Sequence, residues 1–222
     1  MEMVISSIRP TLSRPGYDNP TSVRPVAASV AGRRREKPDW KGNGSSRLAT
    51  ILQLVRRLDS SPAVSPPAGW RLRHYEGPID VDAWLALREA AFADSPIAVR
   101  RWTPADFERE LTAKSWWRPD LLWFVESAEE VVSLAGAGPR RAIGTATLAW
   151  RGSAGGGKPV IHWLGVLPEY RRRGVGRLLV AKLEQIVWQS GGREVGLETH
   201  AAWTDAVAFY RALGYREAAS GR

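Results

Sequence analysis

The sequence predicts an α/β fold: a central, mixed, twisted sheet of six to seven strands with helices on both faces. Two observations carry this. Residues 160–166 are short, apolar and β-branched at both ends, as a buried strand should be. They run through a basic, glycine-containing turn straight into a helix, where Leu178, Leu179, Leu183, Ile186 and Val187 recur at helical spacing. Residues 193–199 then read as a further strand, and a strand–helix–strand unit of this kind needs a right-handed crossover.

The remaining elements follow in order. Residues 70–75 alternate enough to open the sheet. Asp80 is placed to cap a helix whose apolar positions are Val81, Trp84, Leu85, Leu87, Ala91 and Phe92. Thr103-Pro104-Ala105-Asp106 starts a second helix, with proline at the first helical position and an acid in the first turn. Phe107 and Leu111 are its inward pair. Residues 121–126 and 142–150 are strands, separated by a loop that holds Gly136, Gly138 and Pro139. After the long helix and its following strand, residues 205–213 form a helix with Ala206, Phe209, Tyr210 and Leu213 on one side. Tyr215 opens a last, short strand. The order is β-α-α-β-β-β-α-β-α-β.

The chain of 222 residues is longer than this fold needs, and the excess lies in front. Residues 1–44 are rich in Pro, Ser, Gly and Arg without a sustained apolar period, so they cannot bury enough surface to order themselves. Leu48, Ile51, Leu52, Val55 and Leu58 predict a short amphipathic helix near residues 46–58, and residues 60–67 a Ser/Pro linker. The expected division is a basic, largely disordered extension over residues 1–66 and a folded domain over 67–222. Through residue 65 there are 11 Lys/Arg against 5 Asp/Glu, which leaves 21 against 18 of the chain's 32 and 23 for the rest. The pI near 10.4 is therefore mainly a property of the front segment, and a nucleic-acid-binding fold is not expected. No run of 18 apolar residues and no secretory core is present, so a cytoplasmic protein without a membrane span is expected. Zero cysteines exclude disulfides, thiolate nucleophiles and Cys-ligated zinc. Three scattered histidines argue against any metal site.

The turn between residues 166 and 175 carries the chemistry. Gly174 and Gly176 let backbone amides approach a ligand where a Cβ would intrude. The uncapped N–H groups of a helix's first turn favour an anion there, and Arg171, Arg172, Arg173 and Arg177 add positive charge. This is a phosphate cradle. No G-x-x-x-x-G-K-[ST] and no G-x-G-x-x-G after an early strand occur, which excludes a P-loop and argues against a dinucleotide site.

Arg171-x-x-Gly174-x-Gly176 after a strand that ends in Val166 resembles the acyl-CoA pyrophosphate loop of the GNAT (general N-acetyltransferase) superfamily, and the element order is similar to that of its fold. A second motif, Leu197 to Tyr215, resembles the family's closing element, with Ala206, Tyr210, Gly214 and Tyr215 in register. Trp203 stands where the family commonly has Asn, so one polar contact to the pantetheine arm is missing. Together the motifs cover about residues 160–216. The closing element is also similar to that of mycothiol synthase halves, although one GNAT unit is too few for that two-domain enzyme.

The resemblance implies acetyl-CoA as acyl donor, a primary amine as acceptor, and direct transfer in a ternary complex by a cytoplasmic monomer or homodimer, with no metal. It places Leu164, Gly165 and Val166 against the pantetheine amides, and Arg171, Arg172, Arg173, Gly174, Val175, Gly176 and Arg177 around the pyrophosphate. A backbone N–H at the parting of the two parallel strands polarises the thioester carbonyl. Tyr210 matches the position that protonates the leaving thiolate, with a phenol pKa above that of a thiol. His162 lies two residues before Leu164, which predicts the same sheet face, and is the candidate base. Glu198 and Glu126 are the next candidates, with ordered water as the remaining option. Trp116 and Trp117 fall where the family forms its acceptor pocket, and Trp102 precedes the second helix. Two rivals remain at this point: a non-catalytic acyl-CoA-binding regulatory module, and a protein- or ribosome-associated acetylase recruited by the basic front segment.

Overall fold

A computed structural model describes residues 50–128, 141–152 and 157–218, together with the backbone of 132–133 and 136–137. Of the expected extension over residues 1–66, residues 1–49 lie outside the described residues.

Seven strands form one sheet: β1 (Ile51–Arg57), β2 (Trp70–His74), β3 (Leu122–Ser127), β4 (Arg141–Arg151), β5 (Lys158–Val166), β6 (Glu194–His200) and β7 (Arg216–Glu217). The spatial order is β2-β3-β4-β5-β6-β1-β7. Every pairing is antiparallel except β5 with β6, which the crossover through α3 (Val175–Gln189) makes parallel. The other helices are α1 (Val81–Phe92), α2 (Pro104–Phe107, which continues as a π-helical turn over Glu108–Thr112) and α4 (Thr204–Ala212).

Two glycines fix the layers. A Cβ on Gly144 would meet Val175 and Leu179 of α3, whereas one on Gly165 would meet Leu87 and Ala91 of α1. Gly165 pairs with Thr145, the neighbour of Gly144, so α1 and α3 cover opposite faces of the sheet. The core runs through both layers, with Leu54, Trp84, Phe124, Leu164, Leu179, Tyr210 and Tyr215 fully buried.

The front boundary differs from the expectation. Residues 51–57 form a strand, not a helix, and pair with β6 along its whole length, from Ile51 with His200 to Arg57 with Glu194. Leu54 and Leu58 are buried, Arg56 bonds Glu184 of α3, and Ile51 is half exposed, which is a period of two. The apolar run is too short for its own period to decide. The open edge of β6 decides instead. The folded domain therefore includes residues that the expected 67–222 boundary left out. Asp80 also differs: its carboxylate caps nothing, but receives Arg73 at 2.6 Å and the Glu76 N–H at 2.7 Å. Thr103 and Asp106 do form the reciprocal capping box that starts α2.

Candidate active site

The parallel pair β5/β6 is held by only two register positions, Val160 with Gly196 and Ile161 with Leu197. From His162 to Val166 the β6-facing edge of β5 has no ladder partner among the described residues, and the two strands part. Leu167 bonds Ile143 in the register that pairs Gly165 with Thr145, so Gly165 turns its backbone groups to β4, and the N–H and C=O groups of Leu164 and Val166 line the opening, as a ligand with amide groups requires.

The turn beyond β5 is anchored before it presents its charges. Leu167 donates to the Ile143 carbonyl at 3.0 Å and Tyr170 to Leu167 at 2.9 Å. Arg171 reaches away from the turn to Asp94, at 2.7 Å, and to the Ala91 carbonyl at 2.9 Å. This contact holds the Asp94 carboxyl below its usual range. Arg171 was expected among the phosphate contacts, but its side chain ties the turn to the end of α1 because Asp94 supplies a closer anion. Arg172 at φ 62° and Gly174 at φ 97° carry the chain into α3. Gly174 has open space where a Cβ would stand, and no side chain caps the helix. The N–H groups of Val175, Gly176 and Arg177 precede the first helical bond, from Leu178 to Gly174 at 3.0 Å. Arg172, Arg173 and Arg177 are exposed and have no carboxylate partner among the described residues; Arg173 leans on the Tyr170 ring. The turn thus combines uncapped amides, a helix dipole and three cations, which suits a pyrophosphate.

His162 is displaced from its expected face. In the ladder with β4, Thr147 pairs with Trp163 and Leu148 with Ile161, so His162 is the extra residue of a β-bulge. The bulge breaks the alternation. Leu164 shares the α3 face with Trp123, whose ring carries Lys182, whereas the His162 ring lies with Trp116 at 5.2 Å and Trp163 at 6.2 Å, on the α1 side. Burial, then the charges of Arg151 and Lys114, lower its pKa to about 3. The imidazole is neutral at any physiological pH, and a group so weakly basic is a poor match for an ammonium proton. The expected base role is not supported at this position.

The carboxylate candidates are committed elsewhere. Glu126 is buried between Arg71 and Arg73, at 2.9 and 2.5 Å, and Glu198 pairs with Arg151 at 2.9 Å. Tyr210 is fully buried on α4, edge-on to Tyr215 at 5.6 Å, and α4 packs on β6. Tyr210 and His162 therefore lie on different elements and are not brought together. Trp203, at the position where the resemblance expects Asn, is a core residue that packs on Phe92 and donates to Ser95 Oγ at 3.1 Å. Trp102, Trp116 and Trp117 are half-buried over the α1 side, with Trp102 against Trp163 at 5.0 Å.

Sequence reasoning missed Asp94 and Arg88. Arg88 had a visible signal: it follows Trp84 by one turn and precedes Phe92 by one, on the face of α1 that must be buried. Among the described residues no cluster of metal-ligating side chains occurs, and no helix is long and apolar enough to cross a membrane.

A profile of the acetyltransferase (GNAT) family matches residues 84–215, which include the parted strands, the turn and the closing helix. The chain belongs to the GNAT acetyltransferase family. This GNAT chain is 32% identical over 175 residues to the mycothiol acetyltransferase of Thermobispora bispora, across 78% of its own length and 56% of that protein's. It is 32% identical over 221 residues to the mycothiol acetyltransferase of Salinispora arenicola, across 94% and 68%. The chain thus spans between about half and two thirds of these relatives. A GCN5-related N-acetyltransferase from Sphaerobacter thermophilus superposes with a TM-score of 0.59 at 23% identity, over 76% of this chain and 48% of that one, a likeness of fold.

Proposed function

We propose that this GNAT chain transfers an acetyl group from acetyl-CoA to a primary amine, directly and in a ternary complex, in the cytoplasm. The observation that carries the proposal is the parting of β5 and β6 beside an uncapped α3 N-terminus with three arginines that have no carboxylate partner among the described residues. Acetyl-CoA supplies the activated acetyl thioester. The turn at Arg172, Arg173 and Gly174 holds the pyrophosphate, and the outward backbone groups of Leu164 and Val166, on either side of Gly165, hold the amide arm and polarise the thioester carbonyl. The amine nitrogen attacks the carbonyl carbon and the C–S bond breaks. Nitrogen gives up one proton and sulfur takes one. Tyr210 is the donor to sulfur in this proposal, by its place in the closing element, since a phenol is by nature a weaker acid than a thiol. Water accepts the amine's proton, because neither His162 nor the paired carboxylates suit the task.

The family membership and the aromatic layer on the acceptor side favour turnover over a regulatory binding module. The test is steady-state release of CoA from acetyl-CoA with a panel of small amines, peptides and polyamines. Turnover of at least one amine is expected, and Tyr210→Phe should lower kcat by about 100-fold with unchanged acetyl-CoA affinity. Acetyl-CoA binding without turnover of any amine would leave the binding module as the better reading.

A further inference from the structure

Buried polar side chains nearly always find hydrogen-bond partners, and the exceptions mark strained, catalytic or ligand-binding groups. Here five such atoms gather in one layer between β4/β5 and α1. Thr147 Oγ1, His162 Nδ1, Trp163 Nε1, Trp84 Nε1 and Arg88 Nε are buried without a partner among the described residues. They are contiguous. Thr147 faces Trp163 across the ladder, and the Trp163 ring meets Trp84 at 6.0 Å and His162 at 6.2 Å.

Arg88 is the charged member, and only 5% of it is exposed. Its guanidinium carbon lies 4.5 Å from the Trp102 ring and 4.9 Å from that of Trp163. Nη1 donates to the Arg100 carbonyl at 3.0 Å, a neutral acceptor. The carboxylate that acts on Arg88 through space, Asp106, is already held by Arg100 at 2.8 Å and Arg109 at 2.5 Å. Burial lowers the guanidinium to about 10, so the group stays a cation at neutral pH. A buried cation whose own contacts are the faces of Trp102, Trp163 and Phe92 and one carbonyl is suited to a planar anion that takes two N–H bonds at its edge.

The position fits an acceptor. Arg88 lies on α1 between Leu87 and Ala91, whose side chains approach Gly165 of β5, the strand that parts from β6. Half-buried Trp102 forms the outer wall, and the indoles offer an apolar surface for the body of the ligand. We infer that this layer is the acceptor subsite and that Arg88 selects amines that also carry a carboxylate. The inference rests on the proposed acetyl transfer and names its substrate class.

The test compares acceptors that differ only in the carboxylate: L-phenylalanine, L-phenylalaninamide and phenethylamine, and the corresponding leucine series, each with acetyl-CoA. The expected result is a kcat/KM about 10- to 100-fold higher for the free carboxylate in at least one series. Arg88→Met should abolish that preference, Arg88→Lys should restore part of it, and acetyl-CoA affinity should stay within about twofold. The wild-type comparison decides the question even where a variant fails to fold. Equal or better use of the amide and the decarboxylated amine would overturn the carboxylate assignment and leave acetyl transfer standing. Turnover of neither these series nor any amine of the wider panel would overturn acetyl transfer itself, and this inference with it.

Discussion

His162 shows how one residue's chemistry is set by what surrounds it. The unfolded chain exposes an imidazole that takes up a proton near pH 6.5, whereas burial in the bulge lowers the folded value to about 3. Between those values the unfolded state binds a proton that the folded state refuses. Stability is therefore complete above about 6.5 and falls as the pH drops toward 3, by up to about 1.4 kcal/mol per pH unit from this group. Urea midpoints measured between pH 4.5 and 7.5 should show a shallower acid loss in His162→Gln than in the wild type; parallel curves would contradict the buried, neutral imidazole. The identity of this residue was legible in the sequence, but its face was not. Counting by two from Leu164 presumes an unbroken ladder, and the bulge that breaks it arises from pairing with Thr147 and Leu148 far along the chain. Arg171 teaches the same lesson. Its place in the turn was readable, while its attachment to Asp94 depends on the packing of α1.

At the scale of elements, local pattern was sufficient wherever an element contains its own signal. The β5–turn–α3 unit, the capping box at Thr103 and the α4 helix stand within a residue or two of their expected places. Strand β1 was misread because Ile51-Leu52-Gln53-Leu54-Val55 fits either period, and only the distant edge of β6 chooses between them. Its contribution is testable. A chain that starts at residue 49 should keep the stability of the full length. A chain that starts at residue 67 loses the buried Leu54 and Leu58, worth roughly 1.5–3 kcal/mol each. It also leaves the carboxylate of Glu184, which burial already pushes up, without Arg56. Thermal unfolding should show a large drop in Tm, or insolubility, for the shorter chain alone. Equal melting of both truncations would mean that β1 adds nothing to the sheet.

For the molecule as a whole, one division organises the account. The α3 side and the turn present cations and uncapped amides, to which the proposal assigns the anionic acyl donor; the α1 side presents indoles and Arg88, to which it assigns the acceptor; the parted backbone of β5 lies between them. The donor half was legible because glycines and arginines at fixed spacing are a local signal. The acceptor half was legible only as a collection of tryptophans, since the layer is assembled from α1, α2, β4 and β5. The claim on which both halves depend is that the turn before α3 binds the pyrophosphate of CoA. Titration calorimetry of CoA against the wild type and the double variant Arg172→Glu with Arg173→Glu tests it most directly. Both side chains are exposed, so the variant should melt as the wild type does, and loss of two charge-assisted bonds of roughly 1.5–3 kcal/mol each should weaken CoA binding by about 100-fold or more. Unchanged CoA affinity in a folded double variant would contradict the assignment.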